Sequence, residues 1–349
     1  MRITMRITRY GAVAVLASAI TLTTSPALLG QALPTQPPVS VGGVIYAQYL
    51  YQLGDTADHF NGFSITRAYV NVIGRFAGGF TTRVTPDVYP VADGSSAFRL
   101  KYAYGTYTPN NGPLTFKLGL MQTTWLDWEE TLWGYRMQGS MPLDRNGYVS
   151  SADFGAGVDG HWAAERINVQ VAVVNGENYS RPEGDGRKDV QGRLSVRLAA
   201  SDDGSRVGGL RVTAYAQLGT PTTGGTRNRF MGMLSYKSSD LTLAAEAAVM
   251  RDAVGTPAPP STPGRLLAAY GVYRLPRSRA TVLARVDVLD PNTDVTNNGI
   301  TRIIAGASYQ LSPNLRLLAD LDHLVYQGPP SAAQYATRSQ GLAQVQFSF

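Results

Sequence analysis

From position 41 to the last residue the chain is a succession of segments, each of about ten residues, in which apolar and polar side chains alternate. In Gly192 to Ala200, Leu194, Val196, Leu198 and Ala200 share one phase, and Arg193, Ser195 and Arg197 share the other. Ile167, Val169, Val171 and Val173 oppose Asn168 and Gln170 in the same way, as Val282, Ala284, Val286 and Val288 oppose Thr281, Arg285 and Asp287. A helix would scatter these charges around its axis, whereas a strand sends successive side chains to opposite faces. The pattern predicts strands with one face in lipid and the other in water. Sixteen segments fit it: 41–53, 62–76, 79–88, 98–108, 113–122, 151–163, 166–176, 188–200, 209–218, 227–237, 240–251, 263–275, 279–289, 299–311, 314–326 and 336–349. The fold class this implies is all-β, a transmembrane antiparallel up-and-down barrel of sixteen strands.

The connections give an independent check, because short periplasmic turns alternate with longer extracellular loops in a bacterial barrel. Even-to-odd joints are short, as at Ala77-Gly78, Ala164-Glu165, Ser238-Ser239 and Ser312-Pro313, with Ser201 to Gly208 the longest. Odd-to-even joints are longer, as at Gly54 to Asn61, Glu177 to Arg187 and Asp290 to Asn298. This phase puts both mature termini on the periplasmic side. Phe76, Phe80, Trp162, Tyr273, Tyr309, Phe347 and Phe349 then fall on the apolar phase close to short turns or to the C-terminus, where an interfacial aromatic girdle belongs. The terminal segment closes the barrel by pairing with the first, since an open edge in lipid would leave backbone groups without partners.

The N-terminus departs from this pattern. Arg2, Arg6 and Arg9 precede the uncharged run Gly11 to Thr24, followed by small residues, which is the layout of a secretory signal peptide. The run is too short for a membrane-spanning helix, which needs about 20 apolar residues. Residues 1–32 are expected to be a cleaved signal, cut after Ala27 or Ala32, with 33–40 a short periplasmic lead-in and 41–349 the barrel. The whole sequence has 31 basic and 25 acidic residues for a formal charge of +6; removing three arginines and no acid leaves 28 against 25, or +3. So balanced a surface gives little support for nucleic-acid binding, which needs a clustered basic footprint. Cysteine is absent, so no disulfide scaffold or thiolate metal site exists, and no cofactor is expected.

With the polar phase turned inward, Arg67, Arg75, Arg83, Arg193, Arg197 and Arg211 point into the lumen, with Asp87, Asp153, Asp159 and Asp189 as the acids in that half. Fixed positive charge along a pore lowers the barrier for anions. Farther on, Arg285, Arg302 and Arg316 are matched by Glu246, Asp287, Asp320 and Asp322. Arg99 and Lys101 fit either phase. The longest connection, Thr123 to Ser150, runs for about 28 residues against a usual limit near 15, and long loops in compact folds are commonly functional. It carries Trp125, Asp127, Trp128, Glu129, Glu130 and Trp133 in one patch. It is expected to bend into the barrel as a constriction, with Asp127, Glu129 and Glu130 set across from the arginines; the alternative is a surface loop packed on a neighbouring subunit.

Enzyme chemistry finds little footing. Histidine occurs only at His59, His161 and His323, Ser64 and Ser331 have no evident triad partners, and no G-x-S-x-G elbow is present. Gly155 to Gly160 matches G-x-G-x-x-G but lies inside a strand, without the following helix that nucleotide binding requires. A barrel with a structural or adhesive role is the main alternative to a channel, and a hydrolase at its rim a lesser one. Outward positions rich in small residues, such as Ala245 and Ala247, hint at subunit contact.

Several pieces of the first half resemble the phosphate-selective porin O and P family: FSITRAYVNVIGRF at Phe63 to Phe76, YAYGTYTPNNGPLTFKLGL at Tyr102 to Leu120, SADFGAGVDGHW at Ser151 to Trp162, VQVAVVNGENY at Val169 to Tyr179, and KDVQGRLSVRLAA at Lys188 to Ala200. The resemblance implies an outer-membrane channel for small hydrophilic solutes, commonly a homotrimer of sixteen-stranded barrels embedded in outer-membrane lipid, whose basic pore favours anions such as phosphate. Thr66-Arg67 stands where that family often carries two adjacent arginines, and no dense lysine cluster occupies the loops.

Overall fold

The computed structural model describes residues 38–255 and 260–349. The expected signal segment and most of the lead-in lie outside the described residues. The chain from Val39 onward forms β1 (Val39–Gln52), β2 (Asn61–Phe76), β3 (Phe80–Pro90), β4 (Ser96–Tyr107), β5 (Leu114–Gln122), β6 (Ala152–Trp162), β7 (Ile167–Val174) and β8 (Asp189–Ala199). It continues through β9 (Gly209–Gly219), β10 (Gly225–Lys237), β11 (Leu241–Val254), β12 (Thr262–Arg274), β13 (Ala280–Asp290), β14 (Ile300–Ser312), β15 (Leu315–Tyr326) and β16 (Ser339–Ser348). Three short helices interrupt the series: α1 (Leu126–Trp133) and α2 (Pro142–Arg145) between β5 and β6, and α3 (Ala332–Thr337) before β16.

Each strand pairs antiparallel with its sequence neighbours, and β1 pairs with β16 from Val44↔Ser348 to Gln52↔Gln340, so the barrel is closed. The terminal residue takes part: Phe349 N–H donates to Gly43 O at 3.0 Å and Gly43 N–H to Phe349 O at 2.9 Å. Closure satisfies the backbone without water, the condition for crossing lipid. The outer surface is correspondingly apolar. Leu194, Val212, Val286 and Leu321 are exposed on it while Ser195, Thr213, Arg285 and Asp320 are buried inside. All seven expected girdle aromatics, from Phe76 to Phe349, are outward and exposed. The chain is an outer-membrane-type β-barrel.

Four register shifts interrupt the ladders of the described strands, at β1–β2, β3–β4, β8–β9 (Arg197/Ala199) and β14–β15 (Gln310/Ser312), and the first two set which side chains face inward beside the loop. The β1–β2 register shifts between Tyr46 and Ala47, and the β3–β4 register shifts between Thr85 and Pro86. A bulge moves one residue to the other phase. Thus Phe98 and Leu100 face out on one side of the second bulge, whereas beyond it Lys101 and Tyr102 are buried in succession and Tyr107 faces out. Arg99 and Lys101 fit either phase in the sequence because β4 uses both. The G-x-G-x-x-G stretch is strand throughout, and Gly160 leaves the space into which the Trp162 ring folds.

Candidate functional site

β5 has only nine residues and its pairing with β4 stops at Ala103↔Leu120, so the chain leaves the wall part-way up the barrel. The segment Thr123 to Ser150 then turns into the lumen. Asp127 and Glu129 lie in the first turn of α1, where carboxylates complement the helix dipole. Gly134 ends the helix in the left-handed conformation at φ 69°, its N–H closing on Glu130 O at 3.0 Å. The face bearing Leu126, Trp128, Leu132 and Trp133 is buried.

That face docks on the inner wall of β8 to β13. Trp125 packs on Tyr215, ring centroids 5.6 Å apart, and Trp133 meets Tyr270 edge-on at 5.2 Å. The Arg193 guanidinium lies 4.1 Å from the centre of the Trp128 ring, its Nε donating to Thr124 O at 3.1 Å. Beyond α1 the loop crosses to the opposite wall. Tyr135 Oη and Ser308 Oγ are 2.7 Å apart, Gln344 Nε2 donates to Met137 O at 2.9 Å, and Arg145 pairs with Asp322 at 3.0 Å. From below, the longest of the short-side turns reaches up: Arg206 donates to Asp127 Oδ2 at 2.8 Å and to Thr131 Oγ1 at 2.9 Å, and Val207 is buried among the loop's apolar residues. Arg206 and Val207 were not singled out from the sequence. Their signal was the unusual length of Ser201 to Gly208.

The six inward arginines divide by this arrangement. Arg67 pairs with Asp87 at 2.7 Å, and Arg99 converges on the same buried oxygen at 3.0 Å. Arg83 donates to Asn71 Oδ1 and Thr85 Oγ1 and lies 4.6 Å over the Tyr102 ring, with no salt bridge to a carboxylate among the described residues. Arg75 and Arg197 sit near the short-turn rim, bonded to Ser40 Oγ and Ala164 O. Arg193 and Arg211 are 3% and 0% exposed, covered by the bridging loop rather than open to the lumen. The loop residues divide as well. Trp125 is spent on the wall, and Glu129 turns away from the arginines toward Glu246 rather than across from them. Burial, then the neighbouring Glu246 charge, pushes the Glu129 carboxyl well above the ordinary range. Burial alone would also raise Asp127, but the Arg206 guanidinium overrides it and holds that carboxyl at about 2.

What remains open between α1 and the β1–β4 wall is a cleft of about 340 Å³, lined on the wall side by Arg83, Lys101 and Tyr69 and on the loop side by Asp127, Glu130 and Arg136. Glu130 pairs with Arg136 at 3.0 Å and Asp127 with Arg206, whereas the Lys101 ammonium makes no salt bridge among the described residues: it meets the Tyr69 hydroxyl at 3.4 Å and lies 5.1, 5.6 and 5.7 Å from the Tyr69, Tyr102 and Tyr179 ring centres. The wall charge is therefore less compensated than the loop charge. Among the described residues His161 Nδ1 lies 3.6 Å from Glu165, His323 Nδ1 meets Ser339 Oγ at 2.5 Å, and Ser331 is occupied as the N-cap of α3. On the outer wall Ala245 and Ala247 face outward, and Ala245 lines a shallow apolar depression with Leu234, Leu243 and Ala269.

No family model and no curated protein matches the sequence, so the resemblance to phosphate-selective porins rests on its short motifs alone. Solved structures do match in fold. Salmonella typhi OmpF complexed with daunomycin aligns with a TM-score of 0.66 at 12% identity, covering 89% of this chain and 97% of that one. The anion-selective porin from Comamonas acidovorans aligns at 0.65 and 12%, covering 89% and 99%. OmpT of Vibrio cholerae, in a structure described as its trimer form, aligns at 0.61 and 11%, with the same coverage of 89% and 99%. At these identities the likeness is one of architecture, that of the general sixteen-stranded porin barrel of outer membranes.

Proposed function

We infer that this protein is an outer-membrane porin giving passive diffusion of small hydrophilic solutes, with a preference for anions, phosphate among them. The observation that carries the reading is the loop-bridged lumen, in which Arg83 and Lys101 make no salt bridge to a carboxylate of the described residues while the facing Asp127 and Glu130 are each paired with an arginine. A sixteen-stranded barrel is wide enough for an aqueous channel, and a narrowed section carrying excess positive charge selects by sign. The fold it shares with a porin described as anion-selective is consistent with this, as a homotrimer is with the trimeric OmpT form. On this reading residues 1–32 serve as the export signal and 33–38 as the lead-in, two residues shorter than the sequence suggested because β1 begins at Val39, and the protein acts without a cofactor and not as an enzyme.

Reconstitution into planar bilayers under a salt gradient tests it. Stepwise conductance with a reversal potential favouring chloride is expected. No conductance from folded protein would sink the porin reading, and a cation-favouring potential would sink the anion preference.

A further inference from the structure

Below the bridging loop, at the rim that carries the short turns, a second cavity of about 390 Å³ opens on the inner wall. It lies within the range of about 300–1,000 Å³ typical of small-molecule sites. Arg274 at the end of β12, Arg279 just before β13 and Arg316 on β15 line it, together with Thr281, Ser308 and Tyr135, and no carboxylate does. Strand phase explains the convergence. Tyr270 and Leu266 face inward on β12, Leu283 and Arg285 on β13, and Leu318 and Asp320 on β15, so residues two, four or more even steps along the same strands also face inward.

The charges here are unbalanced in a way that most of the lumen is not. Arg67 and Arg99 share Asp87, Arg145 and Arg302 share Asp322, and Arg285 holds Asp287. By contrast, Arg316 donates through Nε to Gln310 Oε1 at 3.0 Å and through Nη1 to Gly134 O at 3.1 Å, while its guanidinium lies 4.8 Å over the Tyr135 ring. Arg279 donates to Leu311 O at 3.1 Å. These acceptors are neutral: they fix the guanidinium planes and leave the charge in place. The carboxylate nearest Arg274 is Asp240 at 4.0 Å, with both side chains about three-fifths exposed at 61% and 58%, so solvent screens the pair. Three guanidiniums beside hydroxyls form a set of donors suited to an oxyanion on a polyol body, since guanidinium planes match phosphate and carboxylate edge-on.

We propose that this cavity, bounded on one side by Tyr135 of the bridging loop, binds the oxyanion of a small hydroxylated solute such as a sugar phosphate at the periplasmic mouth. It deepens the anion-porin reading by naming a solute class, yet the binding itself does not need conduction. Calorimetry on the detergent-solubilised full-length barrel therefore tests it alone, with glucose 6-phosphate and glucose as probes. Glucose 6-phosphate is expected to bind and glucose not to. The R279Q/R316Q variant should bind glucose 6-phosphate about tenfold or more weakly, the loss of charge-assisted hydrogen bonds. Heat-modifiable gel mobility confirms that the variant barrel is closed, and R279K/R316K, which keeps the charge but not the planar fork, should fall between. Equal binding by wild type and R279Q/R316Q, no binding by either, or equal binding of glucose would overturn the proposal. In bilayers, glucose 6-phosphate should interrupt the current at lower concentration from the short-turn side than from the opposite side; symmetrical block would refute the placement.

Discussion

Trp128 is the side chain on which the constriction turns. It is fully buried on α1, with Arg193, Arg211 and Arg206 at 4.1, 5.4 and 5.8 Å from its ring centre. Replacing it with alanine removes a large buried ring, at a cost of about 3–5 kcal/mol for such truncations. About 2 kcal/mol of this reflects a desolvated cation–π contact. Arg193 and Arg211 would then border a void. Because each 1.36 kcal/mol is a factor of ten, a loss near 4 kcal/mol raises the undocked population of α1 about a thousandfold. The far end of the loop remains tied by Trp133 on Tyr270 and by Arg145 on Asp322. W128A is therefore expected to conduct with strongly increased open-channel noise, and W128A/W133A to step up to the conductance of a variant lacking residues 126–133. The barrel should survive both, since its ring of strand pairings does not include the loop. Unheated gel mobility checks closure and single-channel recording reads the loop. A closed W128A/W133A barrel with wild-type conductance and noise would refute this account of the constriction.

Charge reversal at the wall, R83E, should move the reversal potential toward cation selectivity at unchanged gel mobility; an unmoved potential would remove Arg83 from the selectivity determinants. Reversal of the sealed Arg193 should instead act as a loop-docking variant, raising current noise more than it shifts selectivity. Loop docking should weaken as pH rises. Glu129 has its carboxyl raised above the ordinary 4.5 and faces Glu246, with Arg285 and Asp287 close by, so the docked loop favours the protonated acid. Its stabilisation is complete below that ordinary value and is lost as pH climbs through the raised one. Current noise should grow toward alkaline pH in wild type and stay flat in E129Q/E246Q; a pH profile shared by both would exclude this carboxyl pair as the cause. R206A should free the lower edge of α1 and leave Asp127 without its partner, visible as faster proteolysis within 123–150, and wild-type cleavage rates would show that the turn does not clamp the loop.

Much of the architecture was legible because the barrel has one rule, repeated. Lipid outside and water or polar groups inside force period-two alternation, and each of the sixteen expected segments overlaps an observed strand, with β1 starting two residues early at Val39. The short joints and the outward aromatics marked the same rim independently. Side-chain pairing was less legible, because it crosses strands. Nothing in the sequence announces that Arg67 and Arg99 share one oxygen of Asp87, or that Glu129 comes to rest on Glu246. Bulges compounded this at β4, where no single phase describes the strand.

The seat of the loop did leave a trace in the sequence, and it lies in the strands rather than in the loop. A strand between lipid and open water alternates, whereas β10 and β12, beneath the docked loop, carry apolar residues on both faces. Along β12, Leu266, Ala268 and Tyr270 are buried inward while Leu267 and Tyr273 are exposed outward; along β10, Met231 and Met233 face in and Phe230 and Leu234 face out. Those inner residues belong to the same apolar cluster as Trp125, Trp128 and Trp133. Loss of alternation at β10 and β12 thus marks where the lumen is filled, and retained polarity at the inner face of β2 to β4 marks where it stays open. On the porin reading solutes pass along the second wall, where Arg83, less enclosed than the buried Lys101, Arg193 and Arg211, is the charge they meet.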